Sequence, residues 1–174
     1  MEKNIEAFLK KSSDIIGKYH KDTFYGDTKC EFEDLDIKSP VEQLLYCAFQ
    51  TLKEINGIEG DDPFEVDGKM YLHGLGILPQ EKIGKYRVDF LITKHFIDHK
   101  IHAQAEKSVI VECDSQTWHE RTEKERRYEK RRDRYLQTKG YEIFHYTGKE
   151  IMENPFKIAK EAIDFIYNYE IETP

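Results

Sequence analysis

Acidic residues in two predicted strands lie where a sheet would bring them together. Glu112 and Asp114 are two residues apart, so they project from the same face of a strand, roughly 7 Å from each other. Asp89 lies in the preceding strand, on the face opposite its apolar residues. If these strands are neighbours, three carboxylates converge, and such a cluster favours a hard cation, Mg²⁺ or Mn²⁺. Alternatively, the same acids form ordinary ion pairs with Arg87 or with the basic segment that follows.

That basic segment comes directly after the acids and after His119. Between Arg121 and Arg134 the chain has eight Lys and Arg residues against four acids, which gives a local charge of +4. The segment has the pattern of a helix that ends at Gly140. Such a helix can lie along a phosphate backbone, or it can be a solvated surface with ion pairs four residues apart. The sequence leaves both interpretations open.

Hydrophobic periodicity predicts the elements that position these residues. The predicted order is α-α-β-β-β-α-β-α, an α/β fold with a mixed central sheet and helices on both of its faces. Residues 21–38 are expected to form a loop and residues 94–107 a polar connection. The predicted helices span 4–20, 39–57, 119–139 and 154 onward, and the predicted strands span 69–78, 85–93, 108–114 and 141–146.

The helix before the strands has a strong start signal that includes a further acid. Ser39 is a typical cap, Pro40 fits the first helical position, and Glu42 lies three residues after the cap. A capping box therefore explains Glu42 without any catalytic role.

Length and composition exclude several classes of protein. The chain has 174 residues, a net charge of −7 and no apolar run approaching a membrane span. Its start lacks the apolar stretch of a secretory signal, and its three cysteines form no CxxC pair, which favours a reducing compartment. We expect a single cytoplasmic domain over 1–174, of prokaryotic or phage-like origin. It would comprise an N-terminal helix and loop (1–38), a core (39–151) and a C-terminal helix (152–174).

Three segments carry motifs in a fixed order. Arg87-Val88-Asp89-Phe90 has the form R-x-D-F, residues 109–122 are an apolar strand followed by E-x-D and a histidine, and residues 132–151 contain R-D-x-x-L, then G-Y, then T-G-x-E-I. This set resembles the PD-(D/E)XK nucleases of the very-short-patch-repair-like branch, over roughly residues 40–151. The resemblance implies a restriction-endonuclease-like αβββαβ core with extra terminal helices.

The resemblance also implies roles for the acidic residues. By position, Asp89 and Glu112 would bind Mg²⁺ or Mn²⁺, with the main-chain carbonyl of Cys113 as a third ligand. Asp114 occupies the place of a lysine in other members and would bind metal or orient His119. His119 is the candidate general base or water-positioning group.

Other positions either match the family or depart from it. Glu42 matches the family's acid on the helix before the sheet, but one carboxylate cannot both cap a helix and act in catalysis. Ser115 replaces a usual glycine, Glu129 replaces an aspartate, and His145 replaces an arginine of the last strand. None of these departures removes a proposed metal ligand.

The sequence supports one principal hypothesis and two competitors. The principal hypothesis is a Mg²⁺- or Mn²⁺-dependent endonuclease acting on DNA, with a targeting protein or a second copy of the chain as partner. A nuclease-like module that only binds nucleic acid or protein is the alternative, and a small phosphate-ester hydrolase would lack its phosphate loop. The expected nucleic-acid-binding residues are Arg87, Arg127, Lys130, Arg131 and Arg132.

Overall fold

The computed structural model describes residues 2–16, 21–58, 62–66, 69–98, 103–114 and 122–167. Within these residues the chain forms six helices and seven strands. The helices are α1 (Glu2–Ile16), α2 (Lys21–Asp34), α3 (Pro40–Ile55), α4 (Glu123–Thr138), α5 (Gly148–Glu153) and α6 (Pro155–Tyr167). The strands are β1 (Asp62–Val66), β2 (Lys69–Pro79), β3 (Lys82–Ile83), β4 (Tyr86–Arg87), β5 (Phe90–Asp98), β6 (Ala103–Asp114) and β7 (Glu142–Thr147).

The described strands build a mixed sheet in the order β1-β2-β5-β6-β7. Neighbouring strands are antiparallel from β1 to β6, whereas β7 runs parallel to β6 and is reached through α4. A parallel neighbour needs such a crossover connection, which explains why the basic helix lies between β6 and β7. Strands β3 and β4 form a separate two-stranded ribbon.

The two faces of the sheet belong to different apolar clusters. Alternate residues of β6, Val109 and Val111, are fully buried in the larger cluster with helices α1, α3 and α6. Ile110, between them, is buried in a smaller cluster with Leu136 of α4. Since side chains alternate between faces along a strand, Glu112 shares the face of Ile110 and of α4. The α/β architecture with helices on both faces is confirmed.

The segment 21–38 is not the loop that the sequence suggested. Most of it forms α2, which buries Thr28 and Phe32, two side chains four residues apart on one side of the helix. The remaining positions are dominated by acidic and polar residues. Tertiary packing of a narrow apolar edge therefore outweighs a polar composition.

The segment 94–107 is also more regular than expected. Strand β5 continues to Asp98 and β6 begins at Ala103, so both belong to one long antiparallel pair in which Lys94 faces Lys107. Polar residues persist in this pair because cross-strand hydrogen bonds depend on the backbone and not on apolar side chains. The intervening residues 99–102 lie outside the described residues.

The predicted strand 85–93 is interrupted at Val88 and Asp89. Tyr86 and Arg87 pair with β3, and the sheet strand starts only at Phe90. Val88 packs in the smaller cluster while Phe90 packs in the larger one, so strict alternation fails at this point. The Asp89 carbonyl accepts a hydrogen bond from the backbone of Gln80 at 2.9 Å. This interruption places Asp89 at the entrance to β5.

Helix α4 starts later than expected, after a capping box in which Thr122 and Glu125 exchange hydrogen bonds. Residues 115–121, which include His119, lie outside the described residues.

Among the described helices, no segment has the length and apolarity needed to cross a bilayer.

Candidate active site

Asp89 and Glu112 meet at the ends of the two central strands. Phe90, which follows Asp89, pairs with Val111, which precedes Glu112, so the backbones of the two acids lie close together. The charge of Asp89 also contributes to the raised pKa of Glu112, as expected for neighbouring carboxylates. Asp89 is held in place by the backbone N–H of Cys113, which donates to its Oδ2 at 2.7 Å. The interruption before β5 and the alternation of side chains along β6 thus bring together two acids that are distant in sequence.

Glu112 is an unusual buried acid. The residue is 3% exposed, and its Oε1 atom has no hydrogen-bond partner among the described residues. Burial, followed by the charge of Asp89, raises the pKa of Glu112 to about 8, although Arg132 and His145 act against this increase. Burial also raises the pKa of Asp89. A buried oxygen without a partner costs free energy unless something binds it, so this site favours a cationic ligand.

Arg132 of α4 is the nearest basic side chain to Glu112. Its guanidinium Nη1 lies 3.1 Å from Oε2 of Glu112, and its Nε lies 3.4 Å from Oδ1 of Asp133. Burial alone would lower the pKa of Arg132, but the charges of Glu112 and Asp133 outweigh that effect and raise it. The Arg132 side chain faces the acids, and the expectation that it contacts DNA stays a prediction.

His145 of β7 connects two further acids at the same face. Its Nδ1 lies 3.6 Å from Oδ2 of Asp114, and its Nε2 lies 3.4 Å from Oδ2 of Asp133. These polar contacts, first with Asp114 and then with Asp133, raise the pKa of His145 to about 10. The imidazole is therefore positively charged at neutral pH. His145 lies at the position where the nuclease motif that the sequence resembles has an arginine.

Glu42 lies close to the paired acids but belongs to the other side of the site. Its Oε2 accepts a hydrogen bond from the side chain of Gln80 at 2.6 Å. Burial, followed by the charge of Asp89, raises the pKa of Glu42 to about 7. Ser39 is the N-cap residue of α3, but its side chain makes no capping hydrogen bond. The expected capping box is therefore not formed.

The remaining basic candidates lie on the surface. Arg127, Lys130 and Arg131 are exposed on α4, and Arg127 pairs with Glu123 at 2.5 Å. Arg87 is exposed, donates to the Gln80 carbonyl at 3.1 Å and lies 3.8 Å from a carboxylate oxygen of Asp36. The ion pair of Arg127 with Glu123 supports the interpretation of α4 as a solvated surface at that position, and its contact with a phosphate backbone stays a prediction.

Sequence reasoning missed several members of the site. Asp133 and Gln80 were not considered as site residues, and Arg132 and His145 were noted without their contacts to Glu112 and Asp114. The motif R-D at residues 132–133 was the available signal, because both of its side chains turn towards the sheet. Gln80 carries no such signal, since it follows a strand end with no recognisable spacing.

A divalent cation fits the chemistry of this donor set. The orphaned Oε1 of Glu112 and the adjacent Asp89 are hard oxygen donors in a largely buried place. No three His, Cys, Asp or Glu side chains of the described segments come together as a metal site by themselves. Two carboxylates would therefore need the Cys113 carbonyl, water or substrate oxygens to complete the coordination, as Mg²⁺ sites commonly do.

A mixed sheet flanked by helices, with paired acids at the ends of two central strands, is the architecture of restriction-endonuclease-like proteins. The family model REase_MTES_1575, a restriction-endonuclease-like family, matches residues 65–166, which is more than half of the chain. The chain belongs to this family. Membership indicates a nuclease at a coarse level, and the match does not single out the very-short-patch-repair branch.

The comparisons with curated proteins and with solved structures found no match. The family match includes Asp89, Glu112, Arg132 and His145, whereas Glu42 precedes the matched residues.

Proposed function

We propose that the chain is a Mg²⁺- or Mn²⁺-dependent endonuclease that hydrolyses phosphodiester bonds in DNA. The observation that carries this proposal is the pair Asp89 and Glu112, two neighbouring carboxylates of which one has a buried oxygen without a partner in the described structure. Buried acids with raised pKa values are typical of functional sites. The restriction-endonuclease-like family membership supports a nuclease.

Asp89 and Glu112 would hold the metal ion, with the Cys113 carbonyl as a further donor. When bound, a divalent ion stabilises negative charge on a phosphate and lowers the pKa of an attacking water. The Cys113 N–H fixes the orientation of Asp89. Arg132 and His145 offset part of the acidic charge that remains near the phosphate.

Two residues are candidates for proton transfer. The Glu42 carboxyl group has a pKa near 7, so at neutral pH it is present in both protonation states, as an acid–base group requires. Gln80 fixes one of its oxygens. His119 remains the second candidate through the family spacing, and it lies outside the described residues. Asp114 would then act by holding His145 rather than by binding the metal directly.

The alternative function is a nuclease-like module that binds nucleic acid or protein without cutting. The ion pair of Arg132 with Glu112 favours it, because a side-chain cation already neutralises part of the acidic pair. The two functions differ in one measurable respect. A binding module has no need of a divalent ion at Glu112, whereas the endonuclease cannot act without one.

The test is cleavage of supercoiled, linear, single-stranded and modified DNA with Mn²⁺, Mg²⁺ or EDTA. We expect cutting only with the divalent ions. Asp89→Asn and Glu112→Gln should each lower the rate by more than the roughly 10–100-fold typical of outer-shell changes around a metal. Lys149→Gln, an exposed lysine of α5, is the control and should cut normally. Metal-independent cutting, or normal cutting by either site variant, would contradict the assignment.

A further inference from the structure

An exposed aromatic side chain stands beside the proposed site on the basic helix. Tyr128 is 56% exposed, the largest exposed fraction among the bulky apolar side chains of the described residues. It lies one helical turn before Arg132, so the two side chains share one side of α4, about 6 Å apart along the axis. Arg132 contacts Glu112. Tyr128 is thus adjacent to the place where a scissile phosphate would lie.

The ring of Tyr128 is supported from beneath. It packs edge-to-face on Tyr86, with the ring centroids 5.8 Å apart. Tyr86 is itself buried, and its ring centroid lies 5.2 Å from that of Tyr135. An aromatic ring fixed on one side and open on the other loses little conformational entropy when a second ring stacks on it. This is a rigid surface and not a freely rotating side chain.

The surroundings of Tyr128 are basic. Lys124, Arg127 and Arg131 line the same hollow of about 360 Å³, together with Glu123, which pairs with Arg127. Lys124 and Arg131 make no ion pair with another described residue. Positive charge around an exposed aromatic ring is complementary to a sugar–phosphate strand whose bases are open for stacking. A closed duplex would not offer such a base, since its bases are already stacked.

We propose that Tyr128 is a stacking platform for an unpaired base, so that the substrate is single-stranded or locally unpaired DNA. Lys124 and Arg131 contact the phosphates on either side of the stacked base, and Tyr86 keeps the platform in place. The proposal rests on the proposed nuclease function for the identity of its substrate as DNA. Its physical basis, stacking on Tyr128, is independent of any cutting.

The test uses the full chain in EDTA, which prevents metal-dependent cutting. The probes are oligonucleotides carrying 2-aminopurine, as a single strand, a full duplex and a duplex with one unpaired base. We expect quenching of 2-aminopurine by the wild-type chain for the first and third probes. Tyr128→Ala should abolish the quenching and weaken single-strand binding about tenfold, whereas Tyr128→Trp and Tyr128→Phe should retain both.

Two controls separate stacking from charge and from folding. Arg131→Ala should reduce the dependence of binding on salt by about 0.7 in the log–log slope while the quenching persists. Met152→Ala removes another exposed large side chain, far along the sequence on α5, and should behave as the wild-type chain. The circular dichroism spectra of Tyr128→Phe and Tyr128→Ala should match the wild-type spectrum, which would show that both variants fold.

The proposal would be overturned if Tyr128→Ala quenched 2-aminopurine and bound the single strand as well as the wild-type chain does. If Tyr128→Ala changed the molecular mass of the protein in solution but left single-strand binding unaltered, the proposal would also be overturned. The surface around Tyr128 would then be a protein interface. Cutting by the wild-type chain without quenching refutes the platform and leaves the nuclease assignment standing. Quenching without metal-dependent cutting supports the platform and refutes the nuclease assignment.

Discussion

At the scale of single residues, the site is defined by acids that outnumber the cations facing them. Asp89, Glu112, Asp114 and Asp133 share this face with the charged groups of Arg132 and His145 in the described residues. With these six groups ionised, the cluster has two excess negative charges, and Glu42 beside Asp89 adds a third when it is ionised. A divalent ion would offset two of these charges. Protonation of Glu112, with its pKa near 8, is the other way to reduce that excess.

Arg132→Gln tests how this charge is balanced. Loss of the guanidinium removes an interaction that lowers the pKa of Glu112, so ionised Glu112 becomes more costly. At pH 9 we expect a loss of about 3 kcal/mol in the free energy of unfolding, a typical value for breaking a buried pair. At pH 6 the loss should be smaller because Glu112 takes up a proton. Urea unfolding at both pH values measures the difference.

Arg127→Gln is the matched control for that experiment. Its partner Glu123 and Arg127 itself are both largely exposed, so the change should leave stability nearly unaltered at either pH. Equal losses for Arg132→Gln at pH 6 and pH 9 would contradict the coupling to Glu112.

The sequence predicted the acids of the site better than their partners. Glu112 follows from strand alternation, whereas Asp89 follows from the family motif alone, because the strand is interrupted at that residue. The inward direction of Arg132 does not, because α4 has basic residues on all of its sides and only docking against β6 selects one of them. Ser39 and Glu42 have the same spacing as Thr122 and Glu125, yet only the latter form a capping box. Glu42 has side-chain hydrogen bonds with Gln80, which is distant in sequence, and with Ser39, but neither of these bonds caps the helix.

At the scale of elements, the helices and strands that the sequence did not predict lie in polar segments. Helix α2 and the extensions of β5 and β6 consist largely of polar residues, and hydrophobic periodicity does not detect them. Helices α3 and α6 were predicted because each has a clear apolar side, whereas strand β7 was predicted from its residues of high β-propensity and has no fully buried residue. Periodicity therefore finds elements that pack a full face on the core, and it misses those that contact the core along an edge.

Gly26→Ala tests whether residues 21–34 are helical. Gly26 lies inside α2 with an ordinary helical φ, and a Cβ there would meet no atom within 4 Å. Replacing glycine by alanine in a helix interior should raise the free energy of unfolding by about 0.5–1 kcal/mol. Chemical denaturation measures the change. A loss of stability would indicate that this segment is not a helix in solution.

Gly84→Ala tests the ribbon that leads to Asp89. Gly84 is the first residue of the two-residue turn between β3 and β4, with φ of +62°, as type II′ turns require. A Cβ there would also overlap the hydroxyl group of Tyr135. We expect a loss of about 2–3 kcal/mol, the sum of backbone strain and repacking.

Gly57→Ala is the control for Gly84→Ala. Gly57 has nearly the same φ, +58°, but a Cβ there would contact nothing within 4 Å. Its substitution should cost only the backbone strain, about 1–2 kcal/mol. Equal losses at the two positions would show that the Tyr135 contact contributes nothing.

At the scale of the whole molecule, stability should fall as the pH rises from about 5 to 8 without metal. The pKa values of Glu112 and Glu42 are raised from 4.5 to about 8 and about 7. The folded chain therefore binds more protons than the unfolded chain within this window, which makes the slope negative. His145, whose pKa rises from 6.5 to about 10, extends the decline above pH 6.5.

Urea unfolding at pH 5, 6.5 and 8 in EDTA measures this slope. Glu112→Gln removes the largest of these carboxyl contributions and should flatten the decline. Stability that rises between pH 5 and pH 8 in the wild-type chain would contradict the raised pKa values. Millimolar Mn²⁺ should reverse the decline at pH 8, since binding to the folded state stabilises it.

Calorimetric titration of Mn²⁺ into the wild-type chain and into Glu112→Gln tests the central claim most directly. Glu112 is largely protonated at pH 7, so metal binding must release a proton, and the measured enthalpy should vary with the ionisation enthalpy of the buffer. We predict saturable binding that strengthens from pH 6 to pH 8 and is lost in Glu112→Gln. The absence of saturable binding, or the same affinity in both proteins, would contradict the account.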